Sequence, residues 1–570
     1  MANELEQLVL KKAQSWLDGH YDEATKKQVK YLMDNDMKEL VESFYKDLEF
    51  GTGGLRGIMG VGSNRMNVYT VARATEGLSR VILGSDAPKS VAIAYDTRKN
   101  SDVFARAAAR VFLGNGIRVV LWPEPVPTPL LSYTVRKLGL GWGVVVTASH
   151  NPKQYNGYKV YDCRGVQVIP EQAARITEQM EGVDFFGNPD LPLKAGREAG
   201  LLTEPTGVMD AYCEALGQML PEAGAAGAAS AASAADLPLV YSGLYGTGAK
   251  PVSRMLRALG FSNLTTVQME PDSDFGGLYM PNPEDARVYA QAIEAAKSAG
   301  AKLLLATDPD CDRVGVQVAR AGGFVPLNGN EIGALLIDYL CAVRPPVPGD
   351  VLVTTVVSGE LGQRVARSHG IEVQQVLTGF KFIGDVAENL PPKGKRFFFG
   401  YEESYGYLTG DLARDKDAVL ACSLVAKMAL HWKAQGKDLL DRLEEIEREQ
   451  GYCVEKTVSR HVEGIDFAEK IAARMEALRD PNLAELGGLA VLAVEDYLTG
   501  QRRDLASGSV QALDVPRADV LKFFFAQGTL AVRPSGTEPN IKFYCAANGK
   551  TRADAGENLG AIQRAQETLL

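Results

Sequence analysis

The feature that most constrains the fold of this chain is a pattern that occurs four times along it. A short apolar run, which we interpret as a buried strand, leads directly into a polar loop; the runs are residues 144–146, 303–305, 397–399 and 530–532. Continuous apolar strands are typical of sheets that helices cover on both faces. A chain of 570 residues is too long for one hydrophobic core, and the runs are separated by domain-sized intervals. The pattern therefore predicts several α/β domains, each contributing one polar loop.

The segments between the loops contain patterns typical of amphipathic helices, for example residues 101–113, 285–298 and 418–433. Strands and helices alternate in the first three segments, whereas the last segment has three predicted strands followed by one helix. In open α/β sheets, ligands bind beyond the carboxyl ends of the strands. We therefore predict an α/β protein with four domains around a central cleft, three of them similar mixed α/β domains and the last a smaller C-terminal α+β domain. The predicted domains are residues 1–205 with an N-terminal helical extension, 206–322, 323–455 and 456–570.

Two of the polar loops contain residues that suit phosphoryl transfer at a metal ion. In D-P-D-C-D-R, Asp308, Asp310 and Asp312 alternate, so an extended backbone would bring the three carboxylates to one side. Such close carboxylates repel one another unless a hard cation neutralises them, and oxygen ligands favour Mg²⁺ or Ca²⁺. The other loop, T-A-S-H-N-P, contains Ser149. A serine beside a metal ion suggests that the serine carries a phosphoryl group in transit.

Each of these loops has simpler interpretations. A calcium EF-hand is excluded, because Arg313 and Ala319 stand where that motif requires glycine and glutamate. The acidic loop could still be a solvated turn, and the serine loop a hydrogen-bonded turn without a catalytic role. The serine loop is not a G-x-S-x-G elbow, which disfavours a hydrolase triad. Arg313 fits the functional interpretation, since a guanidinium can bind phosphate oxygens through two hydrogen bonds.

The two remaining loops offer groups that suit a sugar phosphate. In R-P-S-G-T-E-P, small residues expose backbone N–H groups and an arginine adds positive charge, which predicts an anion-binding nest. In G-Y-E-E-S, carboxylates and a hydroxyl suit the hydroxyl groups of a sugar. Surface turns are the alternative in both cases. The candidate residues are Arg533, Ser535, Gly536, Thr537, Glu402 and Ser404.

Further candidates are isolated basic residues. The glycine-rich segment F-G-T-G-G-L-R-G fails the dinucleotide pattern, because Arg56 occupies the position of the third glycine, and it lacks the G-K-[ST] of a P-loop. Arg56 could instead approach a phosphate. Lys159 and Lys416 are candidate acid–base groups, whose pKa values we expect a nearby metal and arginines to lower.

Composition excludes several classes of protein. A net charge of −10 argues against a general nucleic-acid binder. The seven scattered cysteines include no C-x-x-C pair, which argues against disulfides or zinc and favours a reducing compartment. The N-terminus lacks a signal-peptide pattern, and no apolar run approaches the ~20 residues of a membrane span. We therefore expect a cytoplasmic location. The Ala/Gly/Ser-rich segment 221–236 predicts a loop to which we assign no function.

Taken together, the four loops resemble the α-D-phosphohexomutase superfamily, and most closely its phosphoglucomutase branch, which includes phosphopentomutases. The resemblance covers the chain from about Leu48 to Tyr544. It implies that Ser149 is a phosphoserine, that the three aspartates and a phosphoserine oxygen hold Mg²⁺, and that the 533–537 loop binds the substrate phosphate. By the same resemblance, Arg313 contacts the serine-bound phosphate and the glutamate loop grips sugar hydroxyls. Residues that match positions near the transferring group are Arg56, His150, Lys159 and Lys416.

The function implied by this resemblance is the reversible conversion of α-D-glucose 1-phosphate and glucose 6-phosphate, with glucose 1,6-bisphosphate as intermediate and activator. The G-Y-E-E-S loop lacks the histidine of the phosphomannomutase-type G-E-M-S-G-H loop, which favours glucose over mannose. Tyr401 interrupts the glucose-specific G-E-E-S form and leaves pentose phosphates open. The alternatives are therefore a phosphopentomutase, a phosphomannomutase, a glucose 1,6-bisphosphate synthase and a catalytically silent phosphosugar-binding protein. We expect a monomer or homodimer whose partner is a small sugar phosphate.

Overall fold

The computed structural model describes residues 2–51, 53–221, 233–462, 467–534 and 540–569. These residues form two compact units. The first unit combines Met1–Leu220, Ser233–Pro326 and Gly410–Ala426, and the second includes Leu327–Thr409 and Lys427–Leu570. The predicted loop at 221–236 lies largely outside the described residues; its end forms a 3₁₀ turn at Ala234–Asp236.

The first sheet of the first unit is built around short, fully buried strands. Its members are β1 (Gly54–Ile58), β2 (Ser90–Tyr95), β3 (Arg118–Leu121), β4 (Trp142–Val146), β5 (Tyr155–Asp162) and β6 (Leu202–Thr203). The order across the sheet is β1-β5-β4-β2-β3-β6. Strands β4, β2, β3 and β6 are parallel, whereas β5 runs antiparallel to both of its neighbours. Every residue of β2 and β4 is buried, as a strand covered on both faces requires.

Nine helices accompany this sheet in the described part of the first 220 residues. They are α1 (Ala2–Asp18), α2 (Glu23–Asn35), α3 (Met37–Phe44), α4 (Val68–Gly84), α5 (Ser101–Gly114), α6 (Thr128–Leu138), α7 (Pro170–Met180), α8 (Leu193–Glu198) and α9 (Val208–Met219). The predicted N-terminal helical extension is α1 to α3, which pack around Trp16 and Phe44 in a separate apolar cluster. Helix α4 begins at a capping box formed by Asn67 and Thr70. Its apolar face packs onto the main core of the sheet.

The second sheet of this unit contains β7 (Leu239–Ser242), β8 (Leu264–Val267), β9 (Leu303–Thr307), β10 (Val314–Arg320) and β11 (Gly323–Leu327). Its order is β11-β10-β9-β7-β8. Strands β8, β7 and β9 are parallel, and β10 returns antiparallel to β9. The helices of this region are α10 (Ala249–Ala258) and α11 (Ala290–Ala299), with 3₁₀ turns at Phe275–Gly277 and Ala286–Tyr289.

The third sheet lies in the second unit. It contains β12 (Asp350–Thr355), β13 (Glu372–Val376), β14 (Arg396–Glu402) and β15 (Gly406–Leu408), in the order β13-β12-β14-β15. Strands β13, β12 and β14 are parallel, and β15 returns antiparallel to β14. The helices of this region are α12 (Gly329–Val343), α13 (Glu360–Ser368), α14 (Phe380–Asn389) and α16 (Leu439–Gln450), with a 3₁₀ turn at Pro391–Lys393. Helix α15 (Ala418–Lys433), which precedes α16 in the chain, has residues in both units.

These three sheets repeat one topology. In each sheet, a central strand (β2, β7 or β12) has a parallel strand on either side. The chain leaves one of these neighbours through a turn and returns as an antiparallel strand beside it: β5 after β4, β10 after β9 and β15 after β14. The three predicted functional loops fall at these equivalent turns, beyond the carboxyl end of a parallel strand. The prediction of three similar α/β domains from the repeated strand-then-loop pattern is thereby confirmed.

The C-terminal region is a different, largely antiparallel structure. Its strands are β16 (Tyr452–His461), β17 (Glu485–Leu486), β18 (Leu489–Ala490), β19 (Ala493–Asp496), β20 (Gln501–Asp504), β21 (Val510–Ala512), β22 (Leu521–Phe524), β23 (Gly528–Pro534) and β24 (Asn540–Gly549). Seven of them form one sheet, in the order β16-β24-β23-β22-β19-β20-β21. Helices α17 (Phe467–Leu478) and α18 (Arg552–Glu567) complete it. The α+β prediction for this region is confirmed, with more strands than the three expected.

Strand β16 crosses the predicted domain boundary at residue 455. It pairs along its whole length with β24, from Tyr452 opposite Gly549 to His461 opposite Asn540. Its backbone hydrogen bonds therefore belong to the C-terminal sheet.

Among the described residues, none of the helices combines the length and the apolar character needed to cross a membrane.

Candidate active site

Ser149 lies in the turn that follows β4 and is almost completely buried. Its backbone is left-handed, with φ of 52°, a conformation that costs a non-glycine residue on the order of 1–3 kcal/mol. The hydroxyl Oγ donates a hydrogen bond of 2.7 Å to Oδ2 of Asp308. Nδ1 of the neighbouring His150 lies 3.1 Å from the same Oγ. The serine loop and the acidic loop therefore meet at one hydroxyl, although 159 positions separate Ser149 from Asp308.

The three aspartates are brought together by a tight turn between β9 and β10. One carboxylate oxygen of each of Asp308, Asp310 and Asp312 lies within 4.8 Å of the others, and all three residues are buried. The predicted extended backbone is wrong: Cys311 has φ of 51°, and the N–H groups of Asp312 and Arg313 donate to Oδ1 of Asp308. The antiparallel return of the chain demands this turn, because β10 must pair with β9.

The carboxylate cluster has the properties of a site for a hard divalent cation. Its ligands are oxygen atoms only, which suits Mg²⁺. Oδ1 of Asp310 and Oδ1 of Asp312 are buried and accept no hydrogen bond within the described residues, which is costly unless another positive group satisfies them. Burial, followed by the charges of Asp312 and Asp310, raises the pKa of Asp308 well above its usual range. A bound cation would satisfy the two orphaned oxygens and relieve this repulsion.

Two lysines from different elements face the same carboxylates. Nζ of Lys159, on β5, lies 2.9 Å from Oδ2 of Asp310 and 3.4 Å from Oδ2 of Asp312. Nζ of Lys416 lies 3.1 Å from Oδ2 of Asp312. Burial alone would lower the pKa of Lys159, but Asp310 and Asp312 outweigh burial and raise it. The nearest charges to Lys159 are carboxylates, and the expected lowering of its pKa by a bound metal ion and arginines stays a prediction.

Of the two predicted arginines of this unit, Arg313 lies beside the cluster. Nη1 of Arg313 is 3.1 Å from Oε1 of Glu284, and Nε is 3.8 Å from Oδ1 of Asp312. Arg56 is on β1, opposite Gly157 of β5. The glycines before Arg56 serve the pairing of these strands, because a Cβ on Gly54 would lie 1.9 Å from the carbonyl oxygen of Tyr158.

Sequence reasoning missed three side chains that support this arrangement. Oγ1 of Thr128 donates to Oδ2 of Asp310 over 2.9 Å. Asp96 and Arg98 follow β2: Arg98 donates to the carbonyl oxygen of Ser149, and Asp96 accepts a hydrogen bond from Oγ1 of Thr147. A sequence signal for Asp96 and Arg98 does exist. The apolar run 90–95 leads directly into the polar loop D-T-R-K-N, as the four other apolar runs lead into polar loops.

The predicted sugar-binding loop lies in the second unit, between β14 and β15. Glu402 is buried, and its Oε1 accepts a hydrogen bond of 2.8 Å from the backbone N–H of Gly379. Oε2 of Glu403 accepts hydrogen bonds from Thr355 and Ser358. Ser404 is half-buried in the turn. Tyr401 is fully buried in β14, and its hydroxyl donates to the carbonyl of Gly359, so it is a core residue and carries no argument for pentose phosphates.

The predicted anion nest begins at the end of β23. Arg533 is half-buried on that strand, whereas Ser535, Gly536 and Thr537 lie outside the described residues. Sequence reasoning missed Lys381, which begins α14 and is 8% exposed. Burial and the positive charge of Arg533 lower the pKa of Lys381 to about 8, against the opposing effect of Glu402. Two cations close enough to repel each other favour a bound anion.

Comparison with protein families finds matches in four consecutive segments of this chain. All four are described as phosphoglucomutase/phosphomannomutase domains: alpha/beta/alpha domain I at residues 47–186, domain II at 210–322, domain III at 328–448 and the C-terminal domain at 471–557. Each of the four predicted loops falls inside one of these segments.

Curated relatives match over nearly their whole length. A phosphoglucomutase of Staphylococcus epidermidis (strain ATCC 12228) is 38% identical over 514 residues, which cover 89% of this chain and 92% of the relative. A phosphoglucomutase of Staphylococcus aureus (strain MRSA252) is 35% identical over 524 residues, which cover 91% of this chain and 93% of the relative.

Solved structures share the fold at lower identity. A putative phosphomannomutase from Thermus thermophilus gives a TM-score of 0.68 at 24% identity, covering 92% of this chain and 99% of that one. The open form of pp63/parafusin, a phosphoglucomutase from Paramecium, gives 0.66 at 16% identity, covering 92% and 95%.

Proposed function

This chain belongs to the phosphoglucomutase/phosphomannomutase family, and we propose that it is a phosphoglucomutase that reversibly converts α-D-glucose 1-phosphate and glucose 6-phosphate. The observation that carries the proposal is the hydrogen bond from Oγ of Ser149 to Asp308, inside a cluster of three buried aspartates. A hydroxyl at the edge of a cation site is the arrangement that serine-based phosphoryl transfer requires. The relatives named phosphoglucomutase support the same conclusion over most of the chain.

We propose that Mg²⁺ is held by Asp308, Asp310, Asp312 and an oxygen of the phosphorylated Ser149. When bound, Mg²⁺ would offset the negative charge of the phosphoryl oxygens, which is about −2 on a phosphoserine. Arg313 and Arg56 would add positive charge beside this group. Lys159 contacts Asp310 and Asp312, which raise its pKa. Its ammonium group would add positive charge toward the transferring phosphoryl group, and Lys159 stays an acid–base candidate.

In the proposed reaction, the phosphoryl group moves from Ser149 to the free hydroxyl of the sugar phosphate. The P–O bond to the serine breaks and a P–O bond to the sugar oxygen forms, so the sugar hydroxyl loses a proton and the serine oxygen takes one up. His150 Nδ1, 3.1 Å from Oγ, is within reach of the serine oxygen, and Lys416 is a further acid–base candidate. The glucose 1,6-bisphosphate then turns end for end, and its other phosphoryl group returns to Ser149.

We propose that residues of the glutamate loop and of the anion nest bind the sugar phosphate. Glu402 and Ser404 would accept and donate hydrogen bonds to sugar hydroxyls. Arg533 and the neighbouring Lys381 would bind the phosphate that is not being transferred, together with Ser535, Gly536 and Thr537. Because this loop must receive either phosphate in turn, the same residues would serve both half-reactions.

Several finer proposals accompany this function. Free glucose 1,6-bisphosphate would activate the enzyme by phosphorylating Ser149 whenever that phosphate is lost. The six buried cysteines are free thiols, which supports the proposed cytoplasmic location. We retain the division into domains near residues 205, 322 and 455, and a monomer or homodimer, as proposals.

The test of the proposed function is an activity panel on the purified chain with Mg²⁺ and a catalytic amount of glucose 1,6-bisphosphate. We expect kcat/KM for glucose 1-phosphate to exceed that for mannose, ribose and deoxyribose 1-phosphates. A preference for either pentose would make the protein a phosphopentomutase, and a preference for mannose a phosphomannomutase. No turnover of any member, with sugar phosphate still binding, would identify a silent binding protein. Intact-mass measurement of one phosphate on Ser149 checks the covalent route independently.

Arg533→Ala is expected to raise KM for glucose 1-phosphate about tenfold or more, with kcat changed less. The reason is that a charge-assisted hydrogen bond to phosphate contributes roughly 1.5–3 kcal/mol to binding. Steady-state kinetics measures the two constants separately. Arg503→Ala, in strand β20 of the same sheet, is the control and should leave KM within about threefold. An unchanged KM in Arg533→Ala would contradict the proposed phosphate-binding role.

The pH dependence of KM should report the charge of Lys381. The pKa of this residue is about 8, so the ammonium loses its proton, and its attraction for phosphate, as pH rises through that value. The substrate phosphate already carries both charges there, because its second pKa is near 6. We therefore expect KM to rise between pH 7 and 9, and Lys381→Met to show a high KM that varies little over this range. A variant that keeps the wild-type rise would refute the assignment.

A further inference from the structure

Arg98 binds the backbone of the serine loop with one buried guanidinium group. Its side chain is completely buried. Nη2 donates to the carbonyl oxygens of Ser149 and Asn151, both at 2.5 Å. Nη1 donates to the carbonyl oxygens of Pro152 and Tyr155, at 3.0 and 3.3 Å. A single side chain thus gathers four carbonyls of the turn that connects β4 to β5.

Asp96, two residues earlier, holds the other side of Ser149. Its Oδ2 accepts a hydrogen bond of 2.6 Å from Oγ1 of Thr147. The same Thr147 oxygen accepts the backbone N–H of Ser149 at 2.8 Å. Oδ1 accepts from Oγ of Ser101 and from the N–H of Arg98. Nε of Arg98 lies 3.3 Å from Oδ2 of Asp96, with both side chains fully buried.

The two residues therefore fix both peptide groups that flank Ser149. The N–H of Ser149 is held through Thr147 by Asp96, and its carbonyl is held by Arg98. Between these two anchors Ser149 has φ of 52°, and from this left-handed conformation its Oγ reaches Asp308 at 2.7 Å. A relaxed backbone would turn the side chain elsewhere, because Cβ rotates about the chain together with φ.

We propose that Asp96 and Arg98 are positioning residues for phosphoryl transfer, which hold Ser149 in the left-handed conformation that directs its Oγ toward Asp308 and the aspartate cluster. The inference rests on the proposed function, since it assigns these residues to the transfer step. In the described part of the chain, neither side chain forms a hydrogen bond or an ion pair with Asp310 or Asp312, so their direct contacts are with the Ser149 loop.

The chemistry of the contact explains why an arginine is required. The guanidinium is planar and presents its donors in a fixed fork, so two nitrogens can each serve two carbonyl oxygens. The ring of Phe275 covers the guanidinium, with a distance of 5.1 Å from Cζ to the ring centroid, and Asp96 neutralises its charge. A lysine ammonium is a single centre with three donors and cannot span the same four acceptors.

The experiment compares Arg98→Lys and Arg98→Met with Arg344→Met. Arg344 is the matched control: its guanidinium also packs on an aromatic ring, that of Phe398 at 4.8 Å, and donates to the carbonyl of Phe398 and the hydroxyl of Thr409. Each dephosphorylated protein is mixed with glucose 1,6-bisphosphate and Mg²⁺. Intact mass then gives the rate of phosphorylation of Ser149, steady-state kinetics gives kcat and KM, and thermal unfolding gives Tm.

We expect both Arg98 variants to phosphorylate Ser149 about 100-fold more slowly, the loss typical of a misplaced reacting group, with KM within about threefold of wild type. Arg344→Met should keep the phosphorylation rate within about threefold at a comparable loss of Tm. If Arg98→Met does not fold, Arg98→Lys, which keeps a positive charge beside Asp96, decides the question.

Three results would overturn the inference. The first is a wild-type phosphorylation rate in a folded Arg98 variant. The second is a wild-type phosphorylation rate in Arg98→Lys but not in Arg98→Met, which would show that a positive charge at this position is sufficient and that the guanidinium geometry does not position the loop. The third is an equal slowing in Arg344→Met, which would make the effect a general consequence of lost stability. Failure of the proposed function is a separate result: wild-type protein would then gain no phosphate on Ser149 at all.

Discussion

Ser149→Ala is expected to lower kcat for glucose 1-phosphate by at least about 10⁴-fold while the protein remains folded. The covalent route loses its only nucleophile, and neighbouring groups cannot replace a residue that carries the phosphoryl group. The fold should tolerate the change, because Oγ contacts His150 and Asp308 within the site, and the lost hydrogen bond contributes only about 1 kcal/mol. Formation of glucose 6-phosphate and the thermal unfolding midpoint are the two measurements.

The matched control for this prediction is Ser423→Ala. Ser423 is also fully buried in the first unit, and its Oγ donates to the carbonyl of Val419 one turn earlier in α15. The substitution removes a comparable hydrogen bond without touching the cluster, so activity should stay near that of wild type. Substantial activity in Ser149→Ala, or an equal loss in Ser423→Ala, would reject the covalent mechanism.

Asp308→Asn is expected to have opposite effects on activity and on the stability of the metal-free protein. Activity should fall by about 10³-fold or more, because the variant loses a charged oxygen ligand at the site proposed for Mg²⁺. EDTA should likewise inactivate wild-type protein, and added Mg²⁺ should restore it. The metal-free variant should nevertheless unfold at a higher temperature than metal-free wild type at neutral pH, because one of three crowded carboxylates has been removed.

The sign of this stability effect follows from the raised pKa of Asp308. The unfolded carboxyl titrates near 4, whereas burial and the two neighbouring aspartates raise the folded pKa. Between these two values the folded state binds more protons than the unfolded state, so stability falls as pH rises through that interval. Below the unfolded pKa both states are protonated and the penalty disappears. Asparagine carries no charge, so the variant should lack this contribution, and Tm measured against pH in EDTA should diverge from wild type above about pH 4.

Binding of Mg²⁺ provides the second readout. A ligand at 100 times its Kd stabilises the folded state by about 2.7 kcal/mol, so wild-type Tm should rise with Mg²⁺ and that of Asp308→Asn should rise much less. The control is Asp417→Asn, which replaces another buried aspartate of the first unit. Burial raises the pKa of Asp417 to about 6, and its carboxylate accepts a hydrogen bond from the hydroxyl of Tyr212. It should keep the Mg²⁺-dependent rise. A full Mg²⁺ response in Asp308→Asn would contradict the metal assignment.

The features that could be predicted from the sequence share one property: their meaning is local. Three alternating aspartates favour a cation where the fold buries them together, and an apolar run of three to five residues that ends in a polar turn indicates a buried strand with a loop at the sheet edge. The position of each loop beyond the carboxyl end of its strand could also be anticipated. The hydrogen bond between Ser149 and Asp308, in contrast, joins loops that belong to two different sheets.

Tertiary structure alone decided the features whose meaning depends on a distant partner. Arg98 and Lys381 look like ordinary basic residues until the fold supplies four carbonyls to one and a second cation to the other. The pKa of Lys159 is raised because two carboxylates beside another sheet face it. Hydrophobic patterning along the chain determines which segments become strands, whereas the energy of a charge or a strained backbone depends on atoms that only folding brings within a few ångströms.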